Sequence, residues 1–504
     1  MSLARIHTRA QVGIDAPAVQ VEVHLSGGLP SLSLVGLPET AVKESKDRVR
    51  SAILNSQFEF PAKRITINLS PADLPKEGGR YDLAIALGIL AASGQIPNEG
   101  LDELEFIGEL TLSGELRAVS GALPTALRSA EAERTLIVPE GNRLEVSLCE
   151  QGARLAASSL TEVTRWLHQL DALMDIPHNC DPVTHECDVH DLIDVRGQAS
   201  ARRALEIAAA GQHNLLFIGP PGTGKTMLAS RLPGILPPMT SAEALVAASI
   251  ASISHHSGDW QRRWRQRPFR APHHTASGVA LVGGGGNPKP GEISLAHGGV
   301  LFLDELPEFS RKVLDVLREP LESGEIVISR AHRSVTYPAG FQLIAAMNPC
   351  PCGYYGDASG RCQCSPDQVR RYQGQTSGPL LDRIDLHVTV PPLPPAMLQQ
   401  APPGETSDQV QARVMAARQR QLDRQGCVNA QLSGAVRDQH CALSQADTVW
   451  FLDTIEALSL SARAYHRLLS VARTIADLAG SDAIERLHLM EALGFRTLDR
   501  QVSC

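Results

Sequence analysis

Residues 219–226 read Gly-Pro-Pro-Gly-Thr-Gly-Lys-Thr, directly behind the apolar run 214–218 (NLLFI) and ahead of residues 227–232, which can open a helix. Strand, glycine-rich loop and helix in that order make a phosphate cradle. Glycines let successive N–H groups turn inward, and the helix N-terminus adds its positive end. Gly219, Pro220, Pro221, Gly222, Thr223, Gly224, Lys225 and Thr226 then border a nucleotide, with Lys225 on the β and γ phosphates and the Thr226 hydroxyl on Mg²⁺. The chain has only seven lysines, which makes a chance match rare, although a plain turn between strand and helix is the alternative. Residues 299–306 (GVLFLDEL) read as a buried strand ending on Asp304 and Glu305. Two carboxylates at the C-terminal end of a parallel strand face the ligand edge of the sheet. Asp304 is expected to bind Mg²⁺ through water, and Glu305 to orient and deprotonate an attacking water. A third strand, 341–347, ends at Asn348, whose amide is suited to positioning that water unless it is an ordinary strand-end asparagine. The chemistry these residues suit is ATP hydrolysis with Mg²⁺.

Other clusters suit other chemistry. Cys350-Pro-Cys352 and Cys362-Gln-Cys364 are separated by nine residues, enough to fold four thiolates around one tetrahedral Zn²⁺, with buried free thiols as the alternative. His273 and His274 are too distant in sequence to attach to either site and read as structural. Residues 325–337 (EIVISRAHRSVTY) read as a hairpin, with strands 326–329 and 334–337 and a tip of Arg330, Ala331, His332 and Arg333. Such a tip contacts phosphates without reading sequence. Residues 277–290 hold four consecutive glycines and Lys289, which suits a mobile loop. In residues 260–270, five arginines interleave with Trp260, Trp264 and Phe269, fitting either nucleic acid or a subunit brace.

The elements that must position these residues follow from length and periodicity. At 504 residues the chain is long enough for two to four domains. Residues 1–170 mix β runs (19–25, 64–69) with helical ones (81–94, 122–133), an α/β domain of its own. Residues 171–190 lose periodicity and gather Pro, His, Asp and Asn, as a linker does. Residues 191–390 alternate strands with helices as in a doubly wound parallel sheet. After the prolines at 391–395, residues 391–504 carry helix formers and no strand signal. The net charge of −8 means that any polyanion is held by a local basic surface. No apolar run approaches the ~20 residues of a membrane span, and the sparse cysteines suit a reducing compartment, so a cytoplasmic protein without membrane contact is expected.

The chain resembles the AAA+ ATPases and, within them, the magnesium-chelatase-like group of the ComM/YifB family. The strings that carry the resemblance are 194–198 (DVRGQ), 211–216 (GQHNLL), 267–277 (RPFRAPHHTAS), 287–294 (NPKPGEIS), 347–353 (MNPCPCG) and 377–386 (SGPLLDRIDL). It implies an α/β multidomain fold with an AAA+ P-loop core and a C-terminal helical lid. It also implies a homo-hexamer, in which Arg383 reaches into a neighbour's ATP site. Arg463 then acts as the second sensor that couples the lid to nucleotide, with Arg467 one turn on as substitute. The hairpin and the Lys289 loop would face the ring channel. By the same resemblance the protein is a branch-migration helicase acting on single-stranded and branched DNA in homologous recombination during natural transformation. The alternative is a metal-chelatase-type motor subunit that remodels a protein partner. Residues 76–94 and 107–126 resemble a Lon-protease-like (ribosomal S5 domain 2-like) domain, but Asp82 and Leu123 stand where its nucleophile and lysine would be. An aspartate beside no activating amine cannot carry out serine-type acyl transfer, so this domain is expected to be a binding or ring-forming scaffold.

Overall fold

The computed structural model describes residues 3–36, 40–74, 76–179, 190–254, 263–285, 288–330, 333–357, 360–392 and 404–496. They form two compact units: residues 1–185, 244–264 and 331–337 belong to the first, and 186–243, 265–330 and 338–504 to the second.

In the first unit the strands of the main sheet are β1 (Leu3–Arg9), β2 (Ala18–Ser26), β3 (Ser31–Val35), β4 (Arg64–Ser70), β5 (Leu104–Phe106), β6 (Thr135–Pro139), β7 (Arg154–Ala157) and β8 (Met174–Asp175). Among the described residues they make one mixed sheet in the order β8-β7-β6-β5-β1-β2-β4-β3. Alternation builds it: Val19, Val21, Val23 and Leu25 of β2, and Ile65, Ile67 and Leu69 of β4, are buried while their neighbours face outward. Helix α1 (Asp82–Ala92) is apolar around its whole circumference after its first residue and buried at every position. A Cβ on its Gly88 would lie 2.6 Å from Val23 Cγ2, so only glycine lets helix and sheet approach so closely. Asp82 is paired: Arg48 Nε donates to its Oδ2 at 2.9 Å. Burial pushes the Asp82 carboxyl up, and Arg48 opposes that only in part. A guanidinium cannot deprotonate, so the pair still lacks an activating base. The Leu123 backbone donates to Glu145 Oε1 at 2.9 Å.

In the second unit helix α2 (Ala199–Gly211) leads into β9 (Leu215–Ile218), followed by helix α3 (Lys225–Ile235) and strands β10 (Phe269–Arg270), β11 (Val300–Leu303), β12 (Gln342–Met347) and β13 (Leu386–Thr389). The sheet order is β10-β11-β12-β9-β13 and every neighbouring pair is parallel. Strands β9, β11 and β12 are buried along their whole length, as continuous apolar strands covered on both faces must be. Two strands lie outside the runs read from sequence. β13 begins at Leu386, just beyond Arg383 and Asp385. β10 sits inside the arginine–aromatic run, where two residues are too few to show a period. That run braces the chain's own core: Arg270 is bidentate to Glu292 at 2.6 and 2.7 Å, and Arg267 donates to the carbonyls of Pro237 and Gly298, each at 2.6 Å. Phe269 stacks on Phe302 and Trp264 is buried, so neither offers a face for bases, while Trp260 lies outside the described residues. Residues 286–287 of the glycine-rich stretch lie outside the described residues, and the rest carries regular structure. Helix Gly278–Val282 precedes a ladder pairing Gly283 with Pro290 and Gly284 with Lys289. A Cβ on Gly283 would come 2.0 Å from Lys289 O.

The longer C-terminal helices are α4 (Ser407–Gln425), α5 (Gln445–Ala457), α6 (Ala462–Ala479) and α7 (Arg486–Gly494). Ser461 caps α6 by accepting from Ala464 N, and Gly480, at φ +75°, ends it. Leu468, Val471 and Ile475 of α6 share one core with Phe217, Ile344 and Val388 of the sheet. No helix among the described residues is long and apolar enough to cross a membrane.

Candidate active site

β9 ends at the glycine loop, and the loop's curl follows from its glycines. Gly222 and Gly224 take φ +78° and +86°, which other residues rarely adopt. Gly219 packs so tightly that a Cβ would lie 2.3 Å from Val390 O. Lys225 opens α3 and turns its Nζ back into the loop, donating to Gly219 O at 2.8 Å, Pro220 O at 2.9 Å and Asn348 Oδ1 at 3.0 Å. Burial pulls the Lys225 pKa down, and Asp304 and Glu305 work against it. Asp304 stands at the end of β11, where its Oδ2 accepts from Thr226 Oγ1 at 2.6 Å. These two hard oxygens are the donor type that Mg²⁺ selects, and they fit the metal that the sequence implied. Glu305 adopts φ +53°, a left-handed conformation costing a non-glycine residue about 1–2 kcal/mol. Such strain concentrates at functional positions. Its Oε2 lies 3.2 Å from His274 Nδ1. Asn348 reaches the same place because β12 lies beside β9 in the sheet. The resulting cleft, about 420 Å³, is lined by the loop, Asp304, Glu305, Met347 and Asn348, within the usual range for ligand sites.

Lys225, Thr226, Asp304, Glu305 and Asn348 thus converge. Arg383 and Arg463 do not join them. Arg383 is buried, donating to Pro379 O at 2.6 Å and to Glu322, and Arg463 Nη2 lies 3.7 Å from the same Glu322 oxygen. Arg467 binds Asp385 and donates to Arg383 O at 3.1 Å. Burial works to raise the Asp385 pKa, yet Arg467 and His213 outweigh it and hold the carboxyl below the ordinary range. Arg463, expected to couple the lid to nucleotide, therefore stands with Arg383 at Glu322, beside a second cavity of about 390 Å³ that Asp385, Arg437, His466 and Arg467 also line. The four cysteine Sγ atoms lie within 4.8 Å of one another. Lys289 is half-buried in its ladder, Arg330 and Arg333 end the hairpin strands Glu325–Arg330 and Arg333–Pro338, and His332 lies outside the described residues. His274, which reads as structural from the sequence, stands beside Glu305. Once residues 269–270 are known as a strand beside β11, a side chain a few residues further on falls at the same ligand edge as Glu305.

Comparison with known proteins matches this chain to three family models: "Magnesium chelatase, subunit ChlI" over residues 191–398, "Subunit ChlI of Mg-chelatase" over 21–142, and "Magnesium chelatase, subunit ChlI C-terminal" over 404–496. Among curated relatives, YifB of Escherichia coli is 54% identical, over 99% of this chain and 98% of its own length. Competence protein ComM of Haemophilus influenzae is 53% identical with the same coverage. The magnesium-chelatase 38 kDa subunit of Cereibacter sphaeroides is 24% identical over 58% of this chain and 86% of its own length.

Proposed function

The chain belongs to the magnesium-chelatase-like ComM/YifB family, and from that premise we propose that it is an ATP-hydrolysing AAA+ motor. It works in the cytoplasm as a homo-hexameric ring on single-stranded and branched DNA. Its task is branch migration in homologous recombination during natural transformation. The observation that carries the hydrolytic half is the convergence of Lys225, Thr226, Asp304, Glu305 and Asn348 on one cleft. Lys225 exchanges its loop carbonyls for phosphate oxygens. Thr226 and Asp304 hold Mg²⁺, which when bound offsets charge on the β and γ phosphates. Glu305 takes a proton from the attacking water at its carboxylate, and Asn348 orients that water. Arg383, released from Glu322, completes a neighbouring subunit's site, and Arg463 moves with it. In this reading residues 1–170 form a scaffold of Lon-protease-like ancestry, 171–190 a linker, 191–390 the motor core and 391–504 the lid. Arg330, His332, Arg333 and Lys289 meet the DNA backbone.

The DNA half rests on the relation to ComM, named a competence protein, and on the basic ends of the hairpin strands. The test measures ATPase activity alone, with single-stranded DNA and with a four-way junction, together with junction migration. Stimulation and ATP-dependent migration are expected. An ATPase indifferent to every DNA form transfers the assignment to a motor that remodels a protein partner. The likeness to the magnesium-chelatase subunit and the internal pairing of Arg267 and Arg270 favour that second reading.

A further inference from the structure

We propose that Cys350, Cys352, Cys362 and Cys364 hold one structural Zn²⁺, and that this ion locks the loop after β12 onto the phosphate loop. Two sequence-distant C-x-C pairs converge: Cys350 Sγ is 3.3 Å from Cys352 Sγ and 3.8 Å from Cys362 Sγ, and Cys352 Sγ is 3.6 Å from Cys362 Sγ. A tetrahedron of sulfurs around a Zn²⁺ with ordinary Zn–S bonds has S···S edges of about 3.8 Å. A disulfide brings sulfurs to about 2.05 Å, and none of the four cysteines is in one. Free thiols gain little from one another, since S–H is a weak donor and sulfur a weak acceptor. The loop also directs backbone donors at Cys350. Tyr355 N–H points at its Sγ at 3.3 Å, and Gly353, at φ +85°, closes a turn whose N–H donates to Cys350 O at 2.9 Å. Four thiolates fill the coordination sphere, which makes the site structural rather than catalytic.

The position of this site gives the ion a second consequence. Cys350 lies two residues after Asn348, which accepts from Lys225 Nζ at 3.0 Å. Between them, Pro349 O accepts from Gln373 Nε2 at 3.0 Å. A Cβ on Gly353 would lie 2.5 Å from Pro221 Cδ, so the cysteine loop rests on the phosphate loop without slack. An ion that fixes Cys350 and Cys352 therefore fixes both Asn348 and the wall against Pro221. This second half rests on the ATP-site reading, whereas the metal itself does not.

The experiment uses the full chain purified without chelator. Elemental analysis is expected to give one zinc per chain. Co²⁺ incorporated in its place should show the visible absorption of a tetrahedral thiolate site. Cys362→Ser should lose the metal and bind a fluorescent ATP analogue about fivefold more weakly, the worth of one hydrogen bond at the site. Should that variant not fold, displacing zinc from the wild-type protein with a mercurial, while a dye follows metal release, gives the same two readings. Iron in place of zinc, or four alkylatable thiols with no metal, overturns the site. Zinc present but nucleotide affinity unchanged after its loss overturns the coupling. A wild-type protein that holds zinc yet binds no nucleotide refutes the ATP reading and leaves the metal site standing.

Discussion

Lys225 makes three hydrogen bonds within its own chain, and a triphosphate has to displace at least part of that set. The ammonium is drawn toward neutrality by burial, so bound phosphate oxygens restore what desolvation takes. Lys225→Ala is therefore expected to weaken ATP binding by about tenfold or more in equilibrium titration. Glu305→Gln should leave binding intact and slow hydrolysis by about a hundredfold. Hydrolysis at the parental rate would show that another group takes the proton. His274 Nδ1 lies 3.2 Å from Glu305 Oε2, so a positioning role exerted through Glu305 can be tested. His274→Ala should lower kcat about tenfold with KM for ATP little changed, and His274→Asn should restore part of the loss. A change in KM alone would mean that His274 supports nucleotide binding instead.

Strand β13 is an edge of the second unit's parallel sheet and carries His387 in its interior. Burial, with Arg496 adding to it, pushes this imidazole down to about 3, whereas in the unfolded chain it titrates near 6.5. Between those values the unfolded state binds the extra proton, so stability falls as pH drops below about 6.5. Burial shifts His297 in the same direction. Urea midpoints at pH 7.5 and 5.5 should show a loss of about 1.4 kcal/mol from His387 alone, and His387→Gln should flatten the dependence. Asp385, one residue before β13, contributes oppositely. Its depressed pKa stabilises the fold at neutral pH, and that contribution is lost only as pH falls below about 4. An onset of instability at the carboxylate range would assign acid lability to pairs such as this one.

The proposed ring, with arginines acting in trans, makes mixing informative. Arg383→Ala subunits keep the phosphate loop, and Lys225→Ala subunits keep the finger, so rings containing both should recover ATPase activity at the shared interfaces. No recovery in rings shown to be mixed would place Arg383 within its own subunit. DNA contacts make a separate prediction. Replacing Arg330 and Arg333 together by Ala should remove DNA stimulation and lower the log–log salt slope of DNA binding by about 2. An unchanged slope would move the DNA surface away from the hairpin.

Contiguous strings determine much of this protein. The glycine loop, the Asp304–Glu305 strand end and the strand before Asn348 are each local patterns, and an apolar run followed by a turn reveals where its last side chain emerges. The same holds for the alternating strands around Val21 and Ile67 and for the apolar helix that Asp82 opens. The tertiary structure alone decided which of these distant pieces meet. Sheet order β10-β11-β12-β9-β13 is not sequence order. That order puts Asn348 beside Lys225, carries His274 to Glu305, and turns Arg270 toward Glu292 within its own chain, where its sequence neighbours fit either a nucleic-acid surface or a subunit brace. It also sets Arg463 with Arg383 at Glu322, apart from Lys225. Periodicity records which face of an element is buried; it carries no record of the partner, because that depends on crossovers and on single pairs such as Arg48 with Asp82, which leave no period in the chain.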